Sequence, residues 1–354
     1  MMLRSPYLIG FSVTALALPA STLLAQMERQ TVSGDRVAIY NLAGKLRVEG
    51  GSGSDVVVEI TRGGKDASQL KVANSVVNGQ QSLRVIYPSD RIVYPELDRW
   101  NRTSLSVNDD GTWGDTDHRG SRDRDRVEIR GSGSGLEAYA DLRILIPRGK
   151  RVAIHHAVGD ARASNVDADL SIDVASADIT VEHMKGHLSL DTGSGSVTVT
   201  DASGDVDLDT GSGGVTISGV KGDVLRMDTG SGSIRGSDID VKELKADVGS
   251  GGVRLSGVKA SRVDVDAGSG GSELELLSTV ESLKVDAGSG GVTVRLPATL
   301  SAEVDLETGS GGIDTDFPVQ ITRFERRHMV GKIGDGRGRI RIESGSGRVR
   351  LMKS

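Results

Sequence analysis

The sequence predicts an all-β fold: a β-solenoid, or β-helix, of stacked coils of about 19 residues, with an irregular N-terminal β portion and a C-terminal cap. In the second half of the chain, the tripeptide Gly-Ser-Gly recurs at spacings of 18 to 21 residues. Apolar and polar residues alternate between these markers, and glycine accounts for 48 of 354 residues. A fixed period of this length indicates a repeat architecture, and alternation with period two indicates strands that bury one face.

Residues 1–25 have the pattern of a secretory signal peptide. Arg4 supplies the positive charge, Tyr7–Leu18 is mainly apolar, and Ala25 is a small residue at the predicted cleavage position. The apolar run is shorter than the ~20 residues of a membrane span, although an uncleaved N-terminal anchor is the alternative. We therefore expect an exported protein without a transmembrane segment after signal removal, located in the periplasm, on the outer surface or outside the cell.

The first half of the remaining chain has strand character without a fixed period. Residues 26–94 alternate at Val37 and Ile39 and continue in Val56–Ile60 and Leu83–Tyr87, which predicts early, irregular coils. Residues 95–130 contain nine acidic and seven basic residues. Because such a composition buries little apolar surface, it predicts a charged, mobile insertion.

Residues 131–354 carry the regular solenoid. One unit consists of the alternating segment Val206–Asp209, a turn over Thr210–Gly214, and the alternating segment Val215–Ile217. A unit this short cannot cover its own apolar face, so successive units are expected to stack in parallel ladders about 4.8 Å apart. The predicted structural corner glycines begin each triplet: Gly193, Gly211, Gly230, Gly249, Gly268, Gly288, Gly309 and Gly345.

Two features at the C-terminus depart from this pattern. The last spacing, from Gly309 to Gly345, is 36 residues, which predicts two periods with one marker missing. Between them, Asp316–Lys332 contains Phe317, Pro318 and Phe324 and breaks the alternation. We expect this segment to be an atypical terminal coil that caps the apolar core against edge-to-edge association.

An acidic residue precedes each corner and is expected to form a column along the solenoid. Its members are Asp191, Asp209, Asp228, Asp247, Asp266, Asp286, Glu307 and Glu343. Like charges opposed in a sheet repel each other, so compensation is expected from corner N–H groups, from basic residues two positions earlier, or from calcium. The basic residues are Arg226, Lys245, Lys284 and Arg341. A solvated, capped column is the favoured interpretation, and bound calcium is the alternative.

The aromatic residues suggest one contact surface. Trp100 and Trp113 lie within the charged insertion, where exposed tryptophan can stack on sugar rings or anchor a protein partner. The alternative is that both fold back as a plug over the end of the solenoid. The six histidines do not have metal-ligand spacing and are expected at the surface.

The sequence predicts no catalytic, cofactor-binding or metal-binding residues. Ser218–Lys221 matches the S-x-x-K pattern of serine acylases, but Ser256–Lys259 repeats it two coils later, which indicates a corner. The absence of cysteine excludes thiolate chemistry. A net charge of −6 without a basic block makes nucleic acid an unexpected partner.

The repeated units also resemble a known family. Four segments carry the resemblance: Asp209–Val215, Leu145–Val152, Gly331–Gly334 and Ile342–Gly347. Together they are similar to the putative-adhesin β-strand-repeat family, a domain-of-unknown-function family of exported bacterial proteins. The resemblance implies a non-enzymatic adhesin or cell-envelope scaffold whose partner is a glycan or protein of the cell surface. A periplasmic envelope-sensing accessory module and a polysaccharide-active β-helix enzyme are the alternatives.

Overall fold

A computed structural model describes residues 27–114 and 124–354 of the chain. The predicted signal peptide, 1–25, lies outside the described residues, as does the centre of the charged insertion, 115–123. The regular elements of the described residues are 30 strands and one turn of 3-10 helix at Ala67–Gln69. The prediction of an all-β solenoid is confirmed.

The N-terminal strands combine antiparallel pairs with the first coil of the solenoid. They are β1 (Glu28–Val32), β2 (Arg36–Ala43), β3 (Leu46–Gly50), β4 (Val56–Gly63), β5 (Lys71–Val77) and β6 (Gln80–Ile86). β1 pairs with β4, and β5 pairs with β6, both antiparallel. β2 and β3 already run parallel to strands of the regular coils. The irregularity therefore lies in the strands added around this first coil.

The charged insertion contributes a second, small sheet. β7 (Arg91–Val93) pairs parallel with β9 (Arg124–Arg130), and β8 (Arg102–Asn108) pairs antiparallel with β9. Residues 102–108 and 124–130 are therefore strands of a sheet outside the coils. The physical reason is local alternation: Val107, Val127 and Ile129 are buried against the solenoid despite the many charges around them.

The regular coils follow with few interruptions. Their strands are β10 (Tyr139–Ile146), β11 (Arg151–Val158), β12 (Ala161–Ser164), β13 (Asp169–Ser176), β14 (Ile179–Lys185), β15 (Leu188–Ser194), β16 (Val197–Ser203), β17 (Val206–Thr210), β18 (Val215–Thr229), β19 (Ile234–Val248), β20 (Val253–Lys259), β21 (Arg262–Ala267), β22 (Ser272–Leu276), β23 (Ser282–Ala287), β24 (Val292–Leu296), β25 (Ala302–Thr308) and β26 (Ile313–Thr315). The C-terminal strands are β27 (Gln320–Glu325), β28 (His328–Ile333), β29 (Gly338–Ser344) and β30 (Val349–Lys353).

Each coil contributes one strand to each of two sheet faces. Face one contains, in spatial order, β2, β11, β13, β15, β17, the second halves of β18 and β19, β21, β23, β29 and β25. Face two contains β3, β12, β14, β16, the first halves of β18 and β19, β20, β22, β24, β30 and β26. Both faces are parallel ladders between neighbouring coils.

The core lies between these two faces and is aliphatic. Equivalent positions stack in register, so that Leu188, Val206 and Leu225 form part of one buried column of face one. Val197, Val215 and Ile234 form the corresponding column of face two. Branched aliphatic side chains suit this arrangement because they pack against identical neighbours on the pleated surface.

The last coil is not at the end of the solenoid. β29 pairs with β23 on one side and with β25 on the other, so the C-terminal coil is inserted between two coils that precede it in sequence. Gly345 consequently stacks between Gly288 and Gly309, and the expected position two periods beyond Gly309 is wrong. The reason is the hairpin of β27 and β28. It pairs antiparallel with β25 and brings the chain back to the position between β23 and β25. Asp316–Lys332 therefore forms a hairpin at the edge of face one rather than a coil.

The corner glycines are required by close approach rather than by backbone angle. None of the eight has a positive φ. A Cβ atom on any of them would lie 2.1–2.7 Å from a carbonyl oxygen of the neighbouring coil. The backbone ladder continues through the corner, since the N–H of Gly211 donates to the carbonyl of Thr192 in the coil before it. The backbones of neighbouring corners can therefore stay within hydrogen-bonding distance only because these positions have no side chain.

Candidate binding surfaces

The acidic column is continuous in the folded chain and longer than predicted. The register of face one aligns Asp173, Asp191, Asp209, Asp228, Asp247, Asp266, Asp286, Glu343 and Glu307 in consecutive coils. Burial, followed by the charge of neighbouring carboxylates, raises the pKa of Asp191, Asp228 and Asp266. The column is therefore a row of mutually repelling carboxylates.

At the corners that carry Thr210 and Thr229, the threonine hydroxyl holds the turn, and the acidic residue does not. Thr210 Oγ1 donates to the carbonyl of Gly195 at 3.0 Å and accepts the N–H of Gly213 at 3.0 Å. Thr229 repeats both contacts one coil later. The expectation that corner N–H groups compensate the acidic column is not met at these corners, because the next residue in each turn takes that role.

Basic residues in the adjacent column provide part of the compensation. Lys245 and Lys284 lower the pKa of Asp228 and Asp266, respectively, against the larger upward effects of burial and neighbouring acids. Arg341 forms an ion pair with Glu343. Within 27–114 and 124–354, no group of three His, Asp or Glu side chains is arranged to hold a metal ion.

Histidines flank the acidic column at both ends. At the N-terminal end, His155 continues the register of Asp173, and its Nδ1 lies 3.1 Å from Asp173 Oδ2. The ring of His155 stacks on Tyr40 with centroids 4.5 Å apart and meets the edge of Trp113 at 5.7 Å. At the other end, Glu307 is aligned with His328. Aromatic packing thus replaces the carboxylates where the small sheet covers the solenoid.

The two tryptophans have different environments. Trp113 is only 6% exposed, and its Nε1 is buried without a hydrogen-bond partner. Trp100 is 85% exposed, with the Arg99 guanidinium 5.8 Å from its ring. Trp113 therefore packs against the outer side of β11, whereas the ring of Trp100 is exposed.

A buried polar network near the first coil was not anticipated. His156 is completely buried, so the expectation of a surface role is wrong for this histidine. His156 Nε2 donates to the carbonyl of Gly44 at 2.8 Å, and Asn41 Nδ2 lies 3.4 Å from Nδ1. Tyr87 donates its hydroxyl to Asn41 Oδ1 at 2.8 Å. Burial lowers the pKa of His156 to about 4, so the ring is neutral.

Face two carries a second surface that the linear sequence conceals. Over the coils from β19 to β30, a groove of about 670 Å³ is lined by glycine corners and by arginine side chains from separate coils: Arg235, Arg254, Arg295, Arg348 and Arg350. Residues 235 and 350 are far apart in the chain and come within four coils only because the last coil is inserted. Aligning the repeats on their glycines would have placed these arginines in related positions.

The two S-x-x-K segments occupy equivalent corners, as predicted. Ser218 is aligned with Ser237, which is aligned with Ser256, and Lys221 is aligned with Asp240 and then Lys259. Among the residues that the structure describes, no helix is long and apolar enough to cross a membrane.

Comparison with known proteins identifies the family. No curated protein matches the sequence. One solved structure, of a "putative cell adhesion protein" from Clostridium sporogenes, aligns over 93% of this chain and 99% of its own, with 10% sequence identity and a TM-score of 0.22. The family described as Toastrack DUF4097 matches residues 141–352, which include the coils from β10 to β30. The chain therefore belongs to the Toastrack DUF4097 family.

Proposed function

We propose that the protein is a non-enzymatic, exported binding protein, an adhesin or cell-envelope scaffold. The observation that carries this proposal is the register of the outward-facing acidic column on face one. Because parallel coils keep equivalent residues aligned, as in Asp209, Asp228 and Asp247, the same chemical group recurs about every 4.8 Å along the surface. Such a surface is suited to multivalent contact with a repetitive partner.

Trp100 is the single side chain that we place in contact with a glycan or protein of the cell surface. It is the most exposed large hydrophobic side chain of the described residues, and an arginine lies beside it. An aromatic ring with a neighbouring cation can stack on a sugar or enter a pocket of a protein. This contact would lie beside the small sheet, away from the regular coils.

Retention of envelope material by the immobilised protein tests the proposal. We expect broad retention of surface glycans or particles, reduced at least threefold by Trp100→Ala. Phe324→Ala is a matched control, because Phe324 is also an aromatic residue and is 65% exposed. It lies on β27, in the C-terminal hairpin, far from Trp100 in the sequence. Absence of any retained envelope component would contradict the proposed function.

A periplasmic accessory module that senses envelope condition is the second candidate. β27 pairs only with β28 among the described strands, and it exposes Ile321 and Phe324. An exposed apolar strand edge can pair with a strand of a protein partner. Recovery of one protein, lost with Phe324→Ala and kept with Trp100→Ala, would favour this candidate over adhesion.

A further inference from the structure

The groove on face two, called the trench below, follows one outward column of side chains that includes Arg235, Arg254 and Arg350. Its floor is the corner column of Gly252, Gly271 and Gly291, where three successive coils have no side chain. Each of these glycines carries the backbone ladder, since the N–H of Val253 donates to the carbonyl of Gly271. The trench therefore has a rigid backbone floor about three coils long, which corresponds to roughly 14 Å.

Arginine side chains are concentrated along this part of face two, although Glu273 and Thr293 separate them within their column. Arg235 and Arg254 are aligned in one outward column, and Arg350 occupies the same column three coils beyond Arg254. In the preceding coils this column contains Thr180, Thr198 and Thr216 instead. Before these threonines the column contains Arg47 and Arg162, so the repeat itself does not require arginine at this position.

The carboxylates in and beside the trench neutralise only part of this charge. Glu273 is shared by Arg254 at 3.2 Å and Arg295 at 2.9 Å, and these two arginines lower its pKa. Asp314 is shared by Arg348 at 2.8 Å and Arg350 at 3.9 Å.

Arg235 forms no ion pair with any residue that the structure describes. Five guanidinium groups therefore face two paired carboxylates, although Glu275 lies in the neighbouring column opposite Arg295. Guanidinium groups with free N–H donors can bind carboxylate and phosphate groups through two parallel hydrogen bonds, in a bidentate geometry.

We propose that this trench binds a linear acidic glycan, whose carboxylate or phosphate groups contact Arg235, Arg254 and Arg350 along the floor of glycines. This inference rests on the proposed function, because it names the ligand class of a binding protein. A chain of repeating anionic units can contact the guanidinium groups of Arg235 and Arg254, one coil apart, and that of Arg350, three coils further on. None of the six exposed large hydrophobic side chains in the described part lines the trench, which disfavours insertion into a lipid surface.

Calorimetric titration of the whole protein with an oligogalacturonate tests the proposal, with neutral maltoheptaose as the comparison ligand. We expect binding of the acidic oligosaccharide alone, weakened at least tenfold between 50 mM and 500 mM salt. The triple variant Arg235→Ala, Arg254→Ala and Arg350→Ala should lose at least tenfold in affinity. The corresponding arginine-to-lysine triple variant should keep part of the affinity, because it keeps the charge and loses the bidentate hydrogen bonds.

The matched control removes the same number of positive charges from face one. The variant Arg226→Ala, Lys245→Ala and Lys284→Ala leaves the trench intact, and its affinity should stay within twofold of the parent. Equal losses in the two alanine variants would overturn the proposal, because they would indicate a response to net charge alone. Binding of phosphatidylglycerol vesicles without binding of the oligosaccharide would also overturn it, as would salt-sensitive self-association through the acidic column of a second copy.

Different experimental results would contradict the proposed function and the proposed ligand class. If envelope material is retained equally by the parent protein and by the arginine-to-alanine triple variant, the protein is still a binding protein and the trench is not its site. If no envelope material is retained while the oligosaccharide binds in the trench, the ligand class stands and the role on the cell envelope does not.

Discussion

The first coil and the regular coils bury similar aliphatic cores, but they are specified in different ways. In the regular coils, each backbone contact is repeated by the neighbouring coil, and the polar contacts of the corner come from Thr210, Thr229 and their equivalents. In the first coil, a single buried network of Asn41, Tyr87 and His156 links the neighbouring strands β2 and β11. One region is specified by repetition and the other by individual side chains.

This difference predicts which changes are tolerated. A regular coil depends on its two neighbours, because the energy of a repeat protein is approximately a sum of coil and interface contributions. The first coil depends on particular hydrogen bonds, which are costly to lose when buried. The effect on stability should therefore decrease in a fixed order. It should be largest for loss of a complete coil, smaller for a corner glycine, smaller again for a buried histidine, and smallest for one acidic side chain.

Removal of the inserted coil should have the largest effect. If the chain ends after Gly336, the buried residues Ile340, Ile342, Val349 and Leu351 are lost, which corresponds to roughly 6–12 kcal/mol of burial. The slot between β23 and β25 would be left open, and β25 to β28 should become sensitive to limited proteolysis. A chain that ends after Lys353 is the control. Unchanged protease resistance of residues 298–336 would contradict the position of the last coil between β23 and β25.

A single methyl group at a corner should also be poorly tolerated. A Cβ atom on Gly213 would lie 1.6 Å from the carbonyl oxygen of Gly195, so Gly213→Ala must push two coils apart. We expect a loss of about 3 kcal/mol in the free energy of unfolding, measured by denaturant titration. Gly214→Ala is the control, because its nearest neighbour would be 3.3 Å away and the expected loss is below about 1 kcal/mol. Equal losses would show that steric contact between coils is not the cause.

The parallel stacking could be predicted because the period and the alternation are both visible in the sequence. The position of the last coil could not, since a spacing of 36 residues fits a missing marker as well as an insertion. Its place depends on the pairing of β28 with β25, a contact that leaves no periodic signal. Part of the arginine trench was missed for the same reason, because Arg348 and Arg350 lie beside the coil of β24 only through that insertion.

The region around the first coil was the least predictable part of the site. Tyr40 and His155 occupy positions of the acidic column, but neither shows the repeated acid that marks it elsewhere. Trp113 and Trp100 have similar charged neighbours in the sequence and opposite exposures in the fold. Burial there is decided by packing between the small sheet and the solenoid, which composition does not reveal.

The buried histidine gives the first coil a pH response. The pKa of His156 is about 4 in the folded chain and 6.5 for an unperturbed histidine. The unfolded state therefore binds more protons between these values, and stability should fall as the pH decreases from 6.5 to 4. The expected loss is about 3 kcal/mol. Denaturant midpoints measured across this range should depend less on pH in His156→Gln, and identical pH dependence in both proteins would contradict this role.

The acidic column should respond to pH in the opposite direction, with the smallest effect. Asp228 lies between Asp209 and Asp247, and burial together with these two charges raises its pKa. A raised pKa means that the folded state binds the proton more tightly than the unfolded state does. The penalty is therefore present at neutral pH and is relieved as the pH falls towards the folded-state pKa. Asp228→Asn should raise the free energy of unfolding at pH 7 by about 0.2–1 kcal/mol.

The gain from Asp228→Asn should decrease in high salt and at acidic pH, because both conditions weaken the repulsion that the substitution removes. Asp207→Asn is the control: Asp207 lies 3.9 Å from Arg226, so loss of its charge removes an attraction and should give no gain. A destabilised Asp228→Asn protein would mean that the column contributes more than repulsion. If calcium then raised the melting temperature of the parent protein and not that of this variant, a cation bridging the carboxylates would account for the difference. The regular coils would in that case depend, like the first coil, on a particular polar contact.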